Sequence, residues 1–288
     1  MYIKIYLLPL ILIYLKKEAF SASPARRINY CKIDCTKGTV HVVCERNYKC
    51  GPVDPCKVVN SDVNFRKYIL HAHNQARNDI ASGKIAGGYN NTGAKDMNAI
   101  SYDMELEYMA ACWNNACKGN RDSCRDTKRF KVSQNVWTAA NVTTEAVPEW
   151  LGRAELLTDA NWLAKFDTKN FPTDEEGGGQ FTQLVWAATK YLGCSLVAIN
   201  NGSRLTRILC NYAPAGNMLA GTVYQIAEDP TEIASLCEKG RKNSEYTSLC
   251  GSIEPVPTDP MWSGASQLLS ISLSVYFYSF SVFCYFTL

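Results

Sequence analysis

The amino-acid sequence predicts a disulfide-rich α+β fold. Three segments repeat apolar residues at helical spacing, and two alternating runs joined by Asn-Gly are typical of a β-hairpin. The chain of 288 residues contains 13 cysteines, which indicates an oxidising compartment. The part between the two apolar ends of the chain, about 240 residues, is long enough to form a well-packed core.

Residues 1–22 have the pattern of a secretory signal peptide. An uncharged run from Ile5 to Leu15 follows Lys4 and precedes small residues. This run is too short to cross a bilayer. Residues 23–60 then contain five cysteines separated by Gly, Pro and Asp, which predicts a loop region held by disulfides.

Helical periodicity predicts three helices after this region. The first begins at Ser61 as N-cap and ends at Gly83, the second covers Asp103 to Cys117, and the third covers Thr143 to Leu157. A short amphipathic segment around Gln180 follows them. Tryptophans on the apolar stripes of these elements are predicted to lie in the core: Trp113, Trp150 and Trp186.

The runs "CSLVAI" and "RLTRILCNY" enclose "NNGS" and predict a hairpin. This hairpin would place Cys194 opposite Cys210, close enough for a disulfide. Residues 221–262 form a predicted extension that ends in the Pro-rich stalk "EPVPTDPMW". Within it, Cys237 and Cys250 enclose a short Lys- and Ser-rich loop and are predicted to pair.

The segment 263–288 is expected to attach the protein to a membrane. Ser263 and Gly264 are candidate attachment residues, and an uncharged apolar run from Leu268 to Leu288 follows them, as in a glycolipid (GPI) anchor signal. A single membrane span and an ordinary exposed tail are the alternatives. Three N-x-S/T sequons predict glycosylation of a secreted or surface-attached extracellular protein: Asn90, Asn141 and Asn201.

Charge and motifs argue against several function classes. The net charge is only +3 and the Lys and Arg residues are scattered, so no nucleic-acid partner is predicted. The chain has no G-x-S-x-G, H-E-x-x-H or P-loop motif. Its three histidines are His41, His71 and His73. His71 and His73 lie two apart on a helix and point in different directions, so they cannot bind one metal ion together, and His73 is predicted to be structural.

Three segments resemble the signatures of the CAP superfamily, which groups cysteine-rich secretory proteins, antigen 5 and plant pathogenesis-related proteins 1. They are "HNQAR" at 73–77, "GQFTQLVWAATKYLGC" at 179–194 and "CNYAPAGN" at 210–217. The segments "NYCKIDC" and "CKGNRDSCRD" resemble the insect antigen 5-like branch, known from venoms. The resemblance implies a three-layer α-β-α sandwich over residues 61–220, with helices on both faces of a small antiparallel sheet.

The resemblance also implies a disulfide pattern. It pairs Cys31 with Cys44, Cys35 with Cys124, Cys56 with Cys117, and Cys194 with Cys210. Cys50 and Cys112 are left over as an additional pair that the antigen 5 pattern does not supply.

Many CAP proteins have a cleft tetrad of two histidines and two acidic residues, which in some members binds a divalent metal. By position, the tetrad is replaced here by Arg121, Gln134, Arg153 and Gln180, although Glu155 lies close to the third position. Amides bind divalent metals weakly and guanidiniums repel them. The sequence therefore predicts a cleft without metal, cofactor or catalytic residues.

The predicted function is that of a non-enzymatic extracellular binding protein. Its ligand would be either a protein, recognised through exposed loops, or a lipid or sterol held in an apolar pocket. Residual hydrolase or metal-dependent activity is the alternative. Arg121 and Arg153 are either an anion site in the cleft or solvated, locally paired arginines.

Overall fold

A computed structural model describes residues 28–36, 38–59, 61–84, 92–119, 121–140, 142–156, 161–167, 178–200, 202 and 205–258. The predicted signal peptide, the three sequon asparagines and the candidate anchor residues Ser263 and Gly264 lie outside these residues. No helix within the described ranges has the length and apolar character needed to cross a membrane.

One mixed sheet forms the centre of the molecule. Its strands are β1 (Cys56–Val58), β3 (Ser101–Tyr102), β4 (Ser133–Ala139), β5 (Tyr191–Ile199) and β6 (Leu205–Ala213). The order is β1-β5-β6-β4, all antiparallel, and β3 pairs parallel with β5. A second sheet pairs β2 (Gly93–Ala94) with β7 (Ile226–Ala227).

Helices cover both faces of the central sheet, which confirms the predicted α-β-α sandwich. The helices are α1 (Val42–Glu45), α2 (Val63–Ala81), α3 (Met104–Asn114), α4 (Val142–Gly152), α5 (Asn161–Ala164) and α6 (Gly179–Leu184). Alternate side chains of β6 enter two cores, as expected for a strand buried on both faces. Ile208 and Tyr212 pack with α2, α4 and α6, whereas Leu209 packs with α3.

The three predicted helices exist, with shifted ends. The N-cap of α2 is Asp62 rather than Ser61, because the Asp62 carboxylate accepts from the main-chain N–H groups of Asn64 and Phe65. Asp103 caps α3 in the same way. The third helix ends at Gly152 and continues as a 3₁₀ turn, Arg153–Leu156.

The hairpin prediction is confirmed in its register, since Cys194 lies directly opposite Cys210. Six disulfides join pairs that the sequence analysis named: Cys31–Cys44, Cys35–Cys124, Cys50–Cys112, Cys56–Cys117, Cys194–Cys210 and Cys237–Cys250. The three core tryptophans are buried, at most 4% exposed: Trp113, Trp150 and Trp186.

The C-terminal extension packs against the domain. Met97 and Ala99 exchange main-chain hydrogen bonds with Cys250, and β7 pairs with β2. The first part of the predicted stalk is also docked, because Val256 contacts the main core and the Pro257 carbonyl accepts from Arg66. Up to Pro257 the segment is therefore part of the folded body and not a free linker.

Candidate functional site

The edge strand β4 contains or contacts three of the four positions that replace the family tetrad. Gln134 lies on this strand, and the Gln180 side chain donates from Nε2 to the Val136 carbonyl at 2.9 Å. The Arg153 guanidinium lies over the Trp137 ring, 5.2 Å from its centroid. Arg121 immediately precedes Asp122, which hydrogen-bonds to Gln134. Sequence analysis did not predict β4, and thus missed the element that organises the site.

Gln180 is held by strand β4. It lies in the first turn of α6, its side chain is buried, and Asn135 Nδ2 donates to its main-chain carbonyl at 2.9 Å. Gln180 Oε1 has no hydrogen-bond partner within the described part of the chain. The amide nitrogen of Gln180 thus binds the Val136 carbonyl, and its amide oxygen remains as a neutral acceptor at this site.

Asp122 is a carboxylate of this region that sequence analysis missed. Its Oδ2 accepts from Gln134 Nε2 at 2.8 Å, and its Oδ1 accepts from Arg125 Nε at 2.8 Å. Gln134 also donates to Asn211 Oδ1 at 3.0 Å. With one oxygen bound to a guanidinium and the other to an amide, Asp122 is a structural acceptor rather than a free base. In the sequence, only its position directly after Arg121 indicates that Asp122 lies near this site.

Two cations flank this strand. The positive charge of Arg121 acts on Tyr212, whose phenol lies beside Asn135. Burial raises the pKa of Tyr212, and the charges of Arg77 and Arg121 partly oppose that rise. Arg153 stacks on Trp137 in a cation-π contact. Guanidiniums therefore occupy two of the four positions at which the family tetrad would have acidic or imidazole groups.

The donor set does not fit a divalent metal. Neutral amides are weak ligands, and two guanidiniums raise the electrostatic cost of placing a dication between them. Clusters of three or more His, Cys, Asp or Glu side chains suited to a metal ion do not occur among the described residues. The residues at these positions therefore do not support a catalytic step that uses a bound metal ion.

His73 is a structural residue, as predicted. Its ring is fully buried, with Nδ1 2.7 Å from the Ile69 carbonyl and Nε2 2.9 Å from the Tyr212 hydroxyl. In the matching tautomer, Nδ1–H donates to the carbonyl and Nε2 accepts from the phenol. His71 points elsewhere, because its Nδ1 lies 2.6 Å from the Tyr246 hydroxyl in the extension. The two rings contact different parts of the fold.

Protonation of His73 should weaken the fold in acid. Burial lowers the pKa of His73 from 6.5 to about 4. Between pH 6.5 and pH 4, His73 is therefore protonated in the unfolded chain and neutral in the folded chain. The contribution of neutral His73 to the free energy of unfolding is fully present above pH 6.5, and it falls by about 2 to 3 kcal/mol as the pH approaches 4. Urea unfolding at pH 7 and 4.5 measures it. His73→Gln should reduce the pH dependence, whereas the exposed His71→Gln should not; equal pH dependence in both variants would contradict the assignment.

Two open grooves on the described surface are large enough to hold part of a ligand. One, of about 640 Å³, lies between the domain and the C-terminal extension. The other, of about 530 Å³, lies between residues 32–34 and 126–131. Charged and hydroxyl side chains dominate both linings. Neither groove has the apolar, enclosed character expected of a lipid site.

Comparison with known proteins gives consistent matches. The family model described as cysteine-rich secretory protein family (CAP) matches residues 70–212. Venom allergen 5 of Vespula maculifrons is 37% identical over 214 residues, covering 68% of this chain and 98% of that protein. Venom allergen 3 of Solenopsis invicta is 31% identical over 215 residues, covering 69% of this chain and 89% of that protein. The crystal structure of Na-ASP-1 matches the fold with a TM-score of 0.54 and 23% identity, over 70% of this chain and 52% of that one.

Proposed function

Because this chain belongs to the CAP family, in its venom allergen 5-like branch, we propose that it is an extracellular binding protein without enzymatic activity. The proposal is carried by one observation. The positions of the family tetrad hold two amides and two guanidiniums around β4, and the Gln180 amide nitrogen is bound to the Val136 carbonyl. The six disulfides agree with an extracellular location.

Acid-base chemistry in the cleft would need a group free to exchange a proton. His73 has both ring nitrogens hydrogen-bonded and is closed off from solvent. Asp122 is bound on both oxygens by Arg125 and Gln134. Amide side chains do not titrate, and guanidiniums stay protonated. The groups around the cleft thus support a binding role better than general acid-base catalysis.

For the ligand, we favour a partner recognised on the surface over a lipid enclosed in a pocket. The two grooves are open and lined by charged and hydroxyl side chains, which suits a polar macromolecule. A lipid would need an enclosed apolar lining. Lipid carriage is the outcome that the first experiment must be able to detect.

Native mass spectrometry of residues 24–262, secreted from insect cells without the predicted attachment segment and purified without detergent, tests this proposal. We expect the mass of the glycosylated polypeptide alone, unchanged when equimolar zinc is added, because the cleft repels dications. A zinc adduct would contradict the loss of metal chemistry. A co-purifying mass of sterol or phospholipid size would replace the surface-recognition proposal by lipid carriage.

A variant that restores the family tetrad is the matched control for the zinc measurement. The combined change Arg121→His, Gln134→Glu, Arg153→Glu and Gln180→His should gain one zinc ion, because two imidazoles and two carboxylates suit that metal. Circular dichroism checks that the variant keeps its fold. A folded variant that still binds no zinc would mean that these four positions do not converge on one cleft.

We also propose that residues 263–288 attach the protein to the outer cell surface through a glycolipid. The support is compositional: small residues at Ser263 and Gly264 precede an uncharged apolar segment. Phosphatidylinositol-specific phospholipase C should release the protein from intact expressing cells into the medium. Retention on the cells after treatment would favour a membrane span, and constitutive secretion would contradict attachment.

A further inference from the structure

The two polar grooves meet at a pair of aromatic rings. Phe130 lines the groove of about 530 Å³ and Tyr191 lines the groove of about 640 Å³, and their ring centroids are 5.6 Å apart. The Arg129 guanidinium lies 5.4 Å from the Phe130 centroid and 5.9 Å from the Tyr191 centroid. The grooves are therefore neighbouring parts of one surface, separated by a ridge of two rings and one guanidinium.

Cations line this surface on both sides of the ridge. We call them the basic band: Lys32, Lys128, Arg129 and Lys131 in the groove of about 530 Å³, and Lys190, Arg241 and Lys242 in the groove of about 640 Å³. These seven cations face four carboxylates in the same linings, namely Asp34, Asp126, Glu238 and Glu254. The whole chain has 30 cationic and 27 acidic residues, so the band concentrates positive charge that the sequence presents as scattered.

Salt bridges neutralise some cations of the basic band, and the other cations are available to a ligand. Arg129 pairs with Asp103 and Glu105, and Lys131 pairs with Asp126. Lys242 donates to a main-chain carbonyl, that of Ile233. Across the described residues, no salt bridge engages the four remaining cations of the band: Lys32, Lys128, Lys190 and Arg241. All four are exposed and lie on both sides of the ridge.

We propose that the basic band binds a sulfated linear polysaccharide. Repeated anionic groups along one chain can contact cations in both grooves at once, which a small anion in a single groove cannot do. The exposed hydroxyl side chains of Ser244 and Ser252 in the lining can hydrogen-bond to sugar oxygens. The half-buried Phe130 and Tyr191 rings offer an apolar face against which the C–H face of a pyranose ring can pack.

The lining favours a glycan over an acidic protein segment. Protein partners obtain most of their affinity from apolar anchors in desolvated pockets, and neither groove provides such a pocket. A sulfated glycan remains hydrated and needs only cations and hydrogen-bonding groups. The inference adds a ligand class to the proposed binding function and rests on it only for the extracellular location, because the band does not include the cleft residues.

The test measures binding of residues 24–262, secreted without the predicted attachment segment, to fluorescent heparin oligosaccharides, with N- and O-desulfated heparin and poly-glutamate as comparison ligands. We expect binding to the sulfated chains that weakens as salt rises, because the contacts are exposed ion pairs. Lys190→Glu with Arg241→Glu should weaken binding about tenfold, since two attractive contacts become repulsive. Lys57→Glu with Lys67→Glu makes the same change in net charge on exposed residues outside the band and should alter binding less than about twofold.

Three outcomes would overturn the proposal. The first is no binding of the wild-type protein to heparin at low salt. The second is equal loss in the two double variants, which would mean that net charge and not the band determines binding. The third is tighter binding to poly-glutamate than to heparin, which would favour an acidic protein partner. Zinc binding depends on the four tetrad positions, which lie outside the basic band. The result of the zinc measurement therefore does not affect these three outcomes.

Discussion

Replacing Arg77 with methionine is expected to lower the free energy of unfolding by about 4 kcal/mol, the range for breaking a buried charged network. The Arg77 side chain is fully buried and donates hydrogen bonds to five main-chain carbonyls: Asn98, Leu184, Trp186, Ala187 and Thr189. Methionine matches much of the volume but donates no hydrogen bond. The Trp186 and Ala187 carbonyls would keep donors from Thr189 and Asn98, but the carbonyls of Asn98, Leu184 and Thr189 would lose the guanidinium while buried, which costs more than the hydrogen bonds themselves contribute.

The guanidinium is needed because these carbonyls converge from two loops. Three of the five belong to the connection from α6 to β5, and a fourth belongs to Leu184, the last residue of α6, the helix that contains Gln180. Burial lowers the pKa of Arg77 to about 9, which still leaves it charged at neutral pH. A planar cation with five N–H groups satisfies all of these acceptors at once, whereas lysine has three. We therefore expect Arg77→Lys to destabilise less than Arg77→Met but still measurably.

Denaturant unfolding with the disulfides intact measures this effect. Gln75→Met on the exposed face of the same helix is the control, and its change should stay within about 0.5 kcal/mol. A loss of less than about 1 kcal/mol in Arg77→Met would mean that water or other N–H groups replace the guanidinium as donors, which would contradict the role assigned to Arg77. The zinc and glycan measurements on folded Arg77→Lys would reveal whether the loop also positions a ligand site.

Local patterns predicted the elements that carry a regular apolar period or a strong turn signal. The helices α2 and α3 and the hairpin of β5 and β6 belong to this class, as does the pairing of Cys194 with Cys210. Strand β4 was missed because "SQNVWTA" has a buried polar residue, Asn135, where an apolar one is expected. Asn135 is tolerated there because Gln180 and Tyr212 accept its hydrogen bonds.

The candidate site depended on contacts between residues far apart in sequence. The four substituted positions were identified through resemblance, but no local signal predicted that Asp122 would bind Gln134 and Arg125. The basic band shows this dependence more clearly, because it brings together residues 32, 128, 129 and 131 with residues 190, 241 and 242, which meet only in the folded chain. Scattered charge in a sequence therefore does not exclude a charged surface.

Replacing Arg66 with methionine should cost a similar amount, about 3 to 5 kcal/mol, for a different reason. Arg66 forms a two-point ion pair with Glu107, at 2.7 Å and 2.8 Å, and the side chains are only 1% and 0% exposed. Without the guanidinium, Glu107 would be a buried, unpaired carboxylate, and the hydrogen bond from Tyr102 at 2.6 Å could compensate only part of its charge. The Pro257 carbonyl would also lose its bond to Arg66.

A second variant distinguishes the destabilisation caused by an unpaired buried charge from the stability that the ion pair itself contributes. Arg66→Met combined with Glu107→Leu removes both charges, so it should recover about half or more of the stability lost in Arg66→Met, because replacing a buried pair costs less than breaking it. Thermal unfolding of the single and double variants measures this difference. Equal destabilisation would mean that the bond from Arg66 to Pro257, and not the buried carboxylate, accounts for the loss. In that case limited proteolysis should release residues after Ser252 from both variants, since only the docked segment between Ile253 and Pro257 would have been freed.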